Sequence, residues 1–305
     1  MLNKTFYSNG KLLLTAEYLV LDGAKSLAIP AKFGQDLTVE KIDQPKIIWQ
    51  SFDVKNKVWF DCTFKLPNLE IIGSNKDIAI SKTLQNILKE AQKLNPEFLT
   101  NKTGFIIKTN LTFPRNWGLG TSSTLINNIA QWANINAFKL LNNSFGGSGY
   151  DIACAQNNKP ITYQLIRNKP KIESVNFNPV FKDQLFFIHL NKKQNSKDAI
   201  HQYQKNKNTV FAFTESISQI TNAIIKTKKV ADFEKLLIEH EKIIAIVIQQ
   251  KTIQEKLFSD YFGQTKSLGA WGGDFIIATG NEDSPKYFKN KGFETILSYH
   301  DMILQ

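Results

Sequence analysis

Residues 113–128, FPRNWGLGTSSTLINN, constrain the fold more than any other stretch of the chain. A strand-like run ends at Pro114. Two glycines follow, at 118 and 120, and a helical pattern then opens on three hydroxyl residues, Thr121, Ser122 and Ser123. Gly118 and Gly120 permit positive φ and close backbone approach. The free N–H groups of the first helical turn, with the positive end of the helix dipole, face whatever occupies such a turn. That is an anion site in kind, and the hydroxyls add ligands for a phosphate or for a phosphate-bound cation. The stretch is not GxxxxGK[ST]. Nor is it GxGxxG, because Ser123 stands where the third glycine would be. The same residues also suit an ordinary helix start after a tight turn.

The 305 residues are enough for one large domain or two modest ones. A hydrophobic share of 42% and an aromatic share of 11% exclude a disordered or fibrous chain. No apolar run approaches the ~20 residues that span a bilayer, and the first residues lack a secretory cleavage pattern, so the chain reads as cytoplasmic. Cys62 and Cys154 sit in no CxxC or Cys/His cluster and read as idle or buried thiols. The net charge of +11 is scattered Lys without interleaved aromatics. Such a charge suits nucleic acid, an acidic membrane surface or anionic metabolites, but its scatter favours a plain compositional excess of Lys, and no basic stripe marks nucleic-acid binding.

Strands are predicted over 11–21, 26–30, 36–42, 47–52 and 58–64, and a helix over 77–94 ending before Pro96. A strand over 104–113 leads into the glycine turn and a helix reaching about residue 141. A short helix opens near 146–151, with strands at 161–165 and 171–177. The second half reads as a strand at 183–190, long helices over 196–226 and 230–256, a strand at 274–280, a short helix ending at Gly292 and a last strand at 293–299. This order predicts an α+β fold in two lobes, residues 1–180 and 181–305, with the boundary near Asn178-Pro179.

Two further patches carry chemistry. In SFGGSGYDIACA (144–155) three glycines surround Asp151 at a helix start. There a carboxylate stays ionised and can orient an attacking hydroxyl or take its proton. A capping Asp is the plainer reading. In TKSLGAWGGDF (265–275) Gly269, Ala270, Gly272 and Gly273 bracket Trp271 just before a strand. A loop so lean in side chains lets backbone approach a ligand, or simply enters the strand. Phosphoryl transfer needs donors around phosphates, a metal and an oriented nucleophile, and the three loops together supply part of that set. Lys192, Lys193 and Ser196 suit an anionic substrate group or a solvated turn with an N-cap, and Arg115 a phosphate or solvent. The four histidines show no metal spacing and read as surface or packed.

The order and content of these patches resemble the GHMP kinase family, which takes its name from galactokinase, homoserine kinase, mevalonate kinase and phosphomevalonate kinase. GKLLLTAEYLVLDGAKSLAIP (10–30) resembles the family's opening strand motif, particularly in the mevalonate and phosphomevalonate branches. PRNWGLGTSS (114–123) resembles its P-x-x-x-G-L-G-S-S loop, and GAWGGDF (269–275) its C-terminal glycine loop. GYDIA (149–153) is itself the label of a bacterial subgroup of these kinases. The resemblance implies an N-terminal lobe like domain 2 of ribosomal protein S5 and a C-terminal ferredoxin-like lobe. It implies ATP and Mg²⁺ as cofactors. The acceptor would be a small anionic metabolite, mevalonate or 5-phosphomevalonate. The chain would be a monomer or homodimer with no nucleic acid or membrane partner.

Position by position, Pro114, Trp117, Gly118, Leu119, Gly120, Thr121, Ser122 and Ser123 would hold the ATP phosphates, with Ser122 as a Mg²⁺ ligand. Asp151 would face the acceptor hydroxyl, Lys11 would lower that hydroxyl's pKa, and Gly269, Ala270, Gly272 and Gly273 would close over the ligands. The sequence departs from the family in four places. Gly-Glu-His reads Ala16-Glu17-Tyr18, and residues 140–143 lack the acid that mevalonate kinases carry there. The stretch from Ser122 to Asp151 is short, and Trp271 replaces a small residue. The loops do not choose the substrate, which leaves a sugar or homoserine kinase open as an alternative, and the missing acid and Trp271 leave open a non-catalytic nucleotide-binding homologue.

Overall fold

A computed structural model describes residues 3–74, 78–100, 103–192, 203–204 and 210–304. The fold is α+β and falls into two compact units interleaved along the chain. One comprises residues 1–10, 33–115 and 119–156; the other comprises 11–32, 116–118 and 157–305. Strands β1 (Lys4–Leu13) and β2 (Ser26–Ile42) contribute residues to both.

In the first unit β3 (Lys46–Phe52) and β4 (Val58–Lys65) form a hairpin extended by β5 (Glu70–Ser74). On its other side β3 pairs in parallel with β6 (Gly104–Asn110), which pairs antiparallel with the later half of β2. The strands alternate strictly, so Ile47, Trp49, Phe60, Cys62, Phe64, Val39 and Ile107 point to one face and are buried. Helices α1 (Ile78–Leu94), α2 (Thr121–Ala133) and α3 (Ala137–Ser144) cover that face with Leu84, Leu88, Ile126, Ile129 and Leu140. Each such side chain is worth about 1.5–3 kcal/mol of burial. The expected single helix reaching residue 141 is interrupted. Asn134 adopts φ 53 and ends α2, and the Asn136 side chain accepts from the Lys139 amide to start α3. Helix α4 (Tyr150–Ala155) packs on α2.

In the second unit the first residues of β2 pair with β7 (Ile161–Ile166), which forms a hairpin with β8 (Lys169–Ser174). A separate antiparallel sheet has the order β10 (Thr265–Ser267), β11 (Phe275–Thr279), β9 (Leu185–His189), β12 (Ile296–Ser298). Every residue of β11 is buried. The helices given bounds in this unit, among the described residues, are α5 (Val210–Lys226), α6 (Val230–Ile248), α7 (Ile253–Leu257), α8 (Ser284–Asn290) and α9 (Tyr299–Met302). The expected strand over 11–21 stops at Leu13, and Leu19–Asp22 is a 3₁₀ helix. The strands expected at 26–30 and 36–42 are one continuous strand. Both cysteines are buried, Cys62 at 2% and Cys154 at 0% exposure. No helix among the described residues is long and apolar enough to cross a membrane.

Candidate active site

In the first unit Gly120 takes φ 91, ψ 41, a left-handed conformation that a side chain would strain, and α2 begins at the next residue. No side chain caps this helix. The hydroxyls nearby are divided between two uses. Ser123 Oγ donates to the Gly120 carbonyl at 2.8 Å and Thr124 Oγ1 to Gln35 Oε1 at 2.7 Å, so both are turned inward. Ser122 is exposed, and its hydroxyl makes no hydrogen bond among the described residues. The first-turn amides of Thr121, Ser122 and Ser123 therefore open beside two hydroxyls uncommitted among the described residues, those of Thr121 and Ser122. Leu119 is fully buried and anchors the turn, and Pro114 is half-buried. Arg115 lies 3.5 Å over the ring of Trp59, which engages its guanidinium in a stack. Asp151, half-buried, stands in the first turn of α4. That helix is tied to α2 by Gln156 Nε2 donating to Asn127 Oδ1 at 2.9 Å.

In the second unit Lys11, Trp117, Gly118 and the C-terminal glycine loop come together. Lys11 Nζ donates to the Gly118 carbonyl at 3.4 Å. Gly118 has φ 67, and a Cβ built there would lie 2.3 Å from Asp274 Cγ, so this contact admits no side chain. Trp117 packs edge-on to Phe275, with ring centres 5.3 Å apart. Gly269, Ala270, Gly272 and Gly273 form the tip of the β10–β11 hairpin, whose base is closed by Leu268 N–H donating to Phe275 O at 3.0 Å. Trp271 is 2% exposed, so its indole packs inside rather than presenting a face to a ligand. The cleft among Lys11, Trp117, Gly118, Gly269 and Asp274 has a volume of about 10 Å³, room for one water.

Asp274 was not singled out in the sequence. It is 8% exposed, takes φ 54, and is fixed by its amide donating to Lys192 O at 2.7 Å and its carbonyl accepting from Leu190 N–H at 2.8 Å. The two glycines before it were the available signal. Lys192 is exposed at this junction; Lys193 and Ser196 lie outside the described residues.

The second unit also buries four ionisable groups that sequence reasoning left apart. Glu17 pairs with Lys266, both essentially inaccessible. His240 Nε2 accepts the Ala16 amide at 2.8 Å, so its proton resides on Nδ1, and burial with the nearby Lys266 holds the ring neutral, well below its usual range. Its 3.4 Å approach to Glu17 is therefore not an ion pair. Glu241 lies near the Ile253 and Ser267 amides, but neither oxygen makes a hydrogen bond of good geometry. Burial, reinforced by Glu17 against the pull of Lys266, pushes its carboxyl up to about 8. A carboxyl whose pKa is raised by folding gives stability at low pH and loses it as pH climbs from about 4.5 through about 8. Glu241→Gln is expected to remove that fall. Its melting temperature relative to the wild type should rise by several degrees between pH 5 and 8, read by calorimetry. The difference measurement cancels His240, which acts in the opposite direction as pH drops below about 6.5.

No family model and no curated protein sequence matches the chain. Solved structures do, across its whole length. This is the GHMP kinase fold. Among its representatives, mevalonate kinase from Methanococcus jannaschii matches over 100% of this chain and 99% of its own, with a TM-score of 0.74 and 17% identity. Phosphomevalonate kinase from Streptococcus pneumoniae, determined with phosphomevalonate and AMPPNP, matches over 97% and 99%, with a TM-score of 0.70 and 18% identity. Galactokinase from Lactococcus lactis, complexed with galactose, matches over 99% and 93%, with a TM-score of 0.70 and 14% identity.

Proposed function

We propose that this chain is an ATP-dependent small-molecule kinase whose acceptor is mevalonate or 5-phosphomevalonate. The observation that carries the reading is the start of α2, where left-handed Gly120 opens uncapped amides beside the exposed Ser122 hydroxyl. Backbone from Gly118 to Ser123, flanked by Pro114 and Trp117, holds the phosphates, and Gly269, Ala270, Gly272 and Gly273 bring further amides to the ligands. Ser122 suits Mg²⁺ as one oxygen donor. Ser122 would hold such a cation together with oxygens of the nucleotide it accompanies. Bound Mg-ATP supplies the transferable phosphoryl group and the neutralisation of its charge. Asp151 accepts the proton of the attacking hydroxyl, and Lys11 stabilises the oxygen as it becomes anionic. A phosphate acceptor needs no such proton transfer.

The mevalonate branch is favoured by the motif detail in residues 10–30 and 269–275. The similar extent of the match to galactokinase keeps a sugar acceptor as the second reading. The test is an ADP-release assay with mevalonate, 5-phosphomevalonate, galactose and homoserine, alongside calorimetry with an ATP analogue. Turnover is expected with one of the first two. ATP binding without transfer to any acceptor would indicate a nucleotide-binding homologue without kinase activity, and folded protein that binds no nucleotide would overturn the reading.

A further inference from the structure

We propose that Tyr18 is a positioning residue for the glycine loop 269–273, its phenolic oxygen holding the amide of Trp271 in place. The functional consequence rests on the kinase reading above; the structural part does not.

The chain is bent with effort at this point. Ala16 at φ 67 and Tyr18 at φ 64, ψ −51 are both non-glycine residues in left-handed territory, one on each side of buried Glu17. Leu19 N–H donates to the Glu17 carbonyl at 2.7 Å, closing a three-residue turn centred on Tyr18. This is the rare, strained form of that turn. Such strain persists only where the surroundings over-determine it. Here the Ala16 amide is held by His240 and the Glu17 carboxylate by Lys266.

The turn delivers the Tyr18 hydroxyl to the Trp271 amide, which donates to it at 3.1 Å. The ring is fixed from behind by stacking on Tyr203, 5.6 Å between centres, and the Tyr203 hydroxyl donates to Asp22 at 2.6 Å. Burial pushes the Tyr18 phenol up to about 12, so it stays neutral and keeps its accepting lone pairs near neutral pH. The loop needs such a tether. Leu268 and Asp274 fix its base through backbone bonds, Trp271 and Gly272 lie in a turn of the loop itself, and the Trp271 amide ties that turn to the Tyr18 hydroxyl. Glu17 grips the segment before the loop through Lys266, and Tyr18 grips its middle, so one turn holds both.

Hydrogen exchange and kinetics of Tyr18→Phe test this, since the variant keeps the stacked ring and deletes only the acceptor. Exchange in residues 269–273 should quicken by about tenfold, the scale of one lost hydrogen bond, with β10, β11 and the melting temperature nearly unchanged. KM for ATP should rise about fivefold to tenfold with kcat within about twofold. Unchanged exchange in the loop, or acceleration spread evenly across the unit, overturns the proposal. If the variant does not fold, the wild type decides: the Trp271 amide should exchange more slowly than those of Ala270 and Gly272, and equal rates overturn it. Local loosening in a protein that binds no ATP would leave the tether standing and remove the kinase reading instead.

Discussion

Asp151→Asn should cut turnover by about 10²- to 10⁴-fold while ATP affinity stays within about twofold. The substitution is isosteric and keeps a hydrogen-bonding group in the first turn of α4, but an amide cannot take up the proton that leaves an attacking hydroxyl. The nucleotide contacts assigned to the start of α2 are untouched, so binding and chemistry separate. Stability should move little, because the change removes one half-buried charge at a helix N-terminus, worth about 0.3–1 kcal/mol. The measurements are kcat by ADP release and Kd for an ATP analogue by calorimetry. Near-normal turnover would remove Asp151 from its assigned role and return it to the plainer one of a helix-capping acid.

Lys266→Met should cost about 3–5 kcal/mol, the scale for breaking a buried pair from one side. Lys266 and Glu17 are at 0% and 1% exposure, and Glu241 is buried close by. Without the ammonium, Glu17 has no opposite charge facing it and must bind a proton to stay inside. Its carboxyl is already raised by burial, so the damage should be greater at pH 8 than at pH 5. Scanning calorimetry should register a fall in melting temperature on the order of 10 °C at neutral pH. Adding Glu17→Gln should recover much of it, because the second change removes the stranded charge. A single variant as stable as the wild type would show that the pair contributes nothing to folding.

Much of the first unit can be read directly from its residues. Helix α1 shows its apolar face at 84, 87, 88 and 91, and the β3–β4 hairpin shows its alternation, because both patterns are local. The break between α2 and α3 was also written in the chain, as Asn134 and Asn136 around one isoleucine, but a continuous apolar pattern masked it. What escaped depends on distant partners. The run 11–21 looks like a strand because its residues are apolar, and nothing nearby reveals that Glu17 will be buried against a lysine 249 positions away. Strand β10 is only three residues long, too short for any periodicity, and owes its existence to β11. The site divides in the same way. Glycine turns announce themselves through the backbone conformations they require. Asp274 gains its place only from an approach to Gly118 that no local pattern encodes.

The seclusion of Cys62 and Cys154 has a practical consequence. Burial also raises the Cys62 thiol, leaving it a poor nucleophile. A maleimide dye should therefore leave the native chain largely unlabelled, and a cysteine placed at the exposed position 116, just outside the residues assigned to the phosphates, would carry the fluorophore without prior removal of any natural thiol. The emission of that dye would then track nucleotide arrival in a titration needing neither turnover nor a known acceptor.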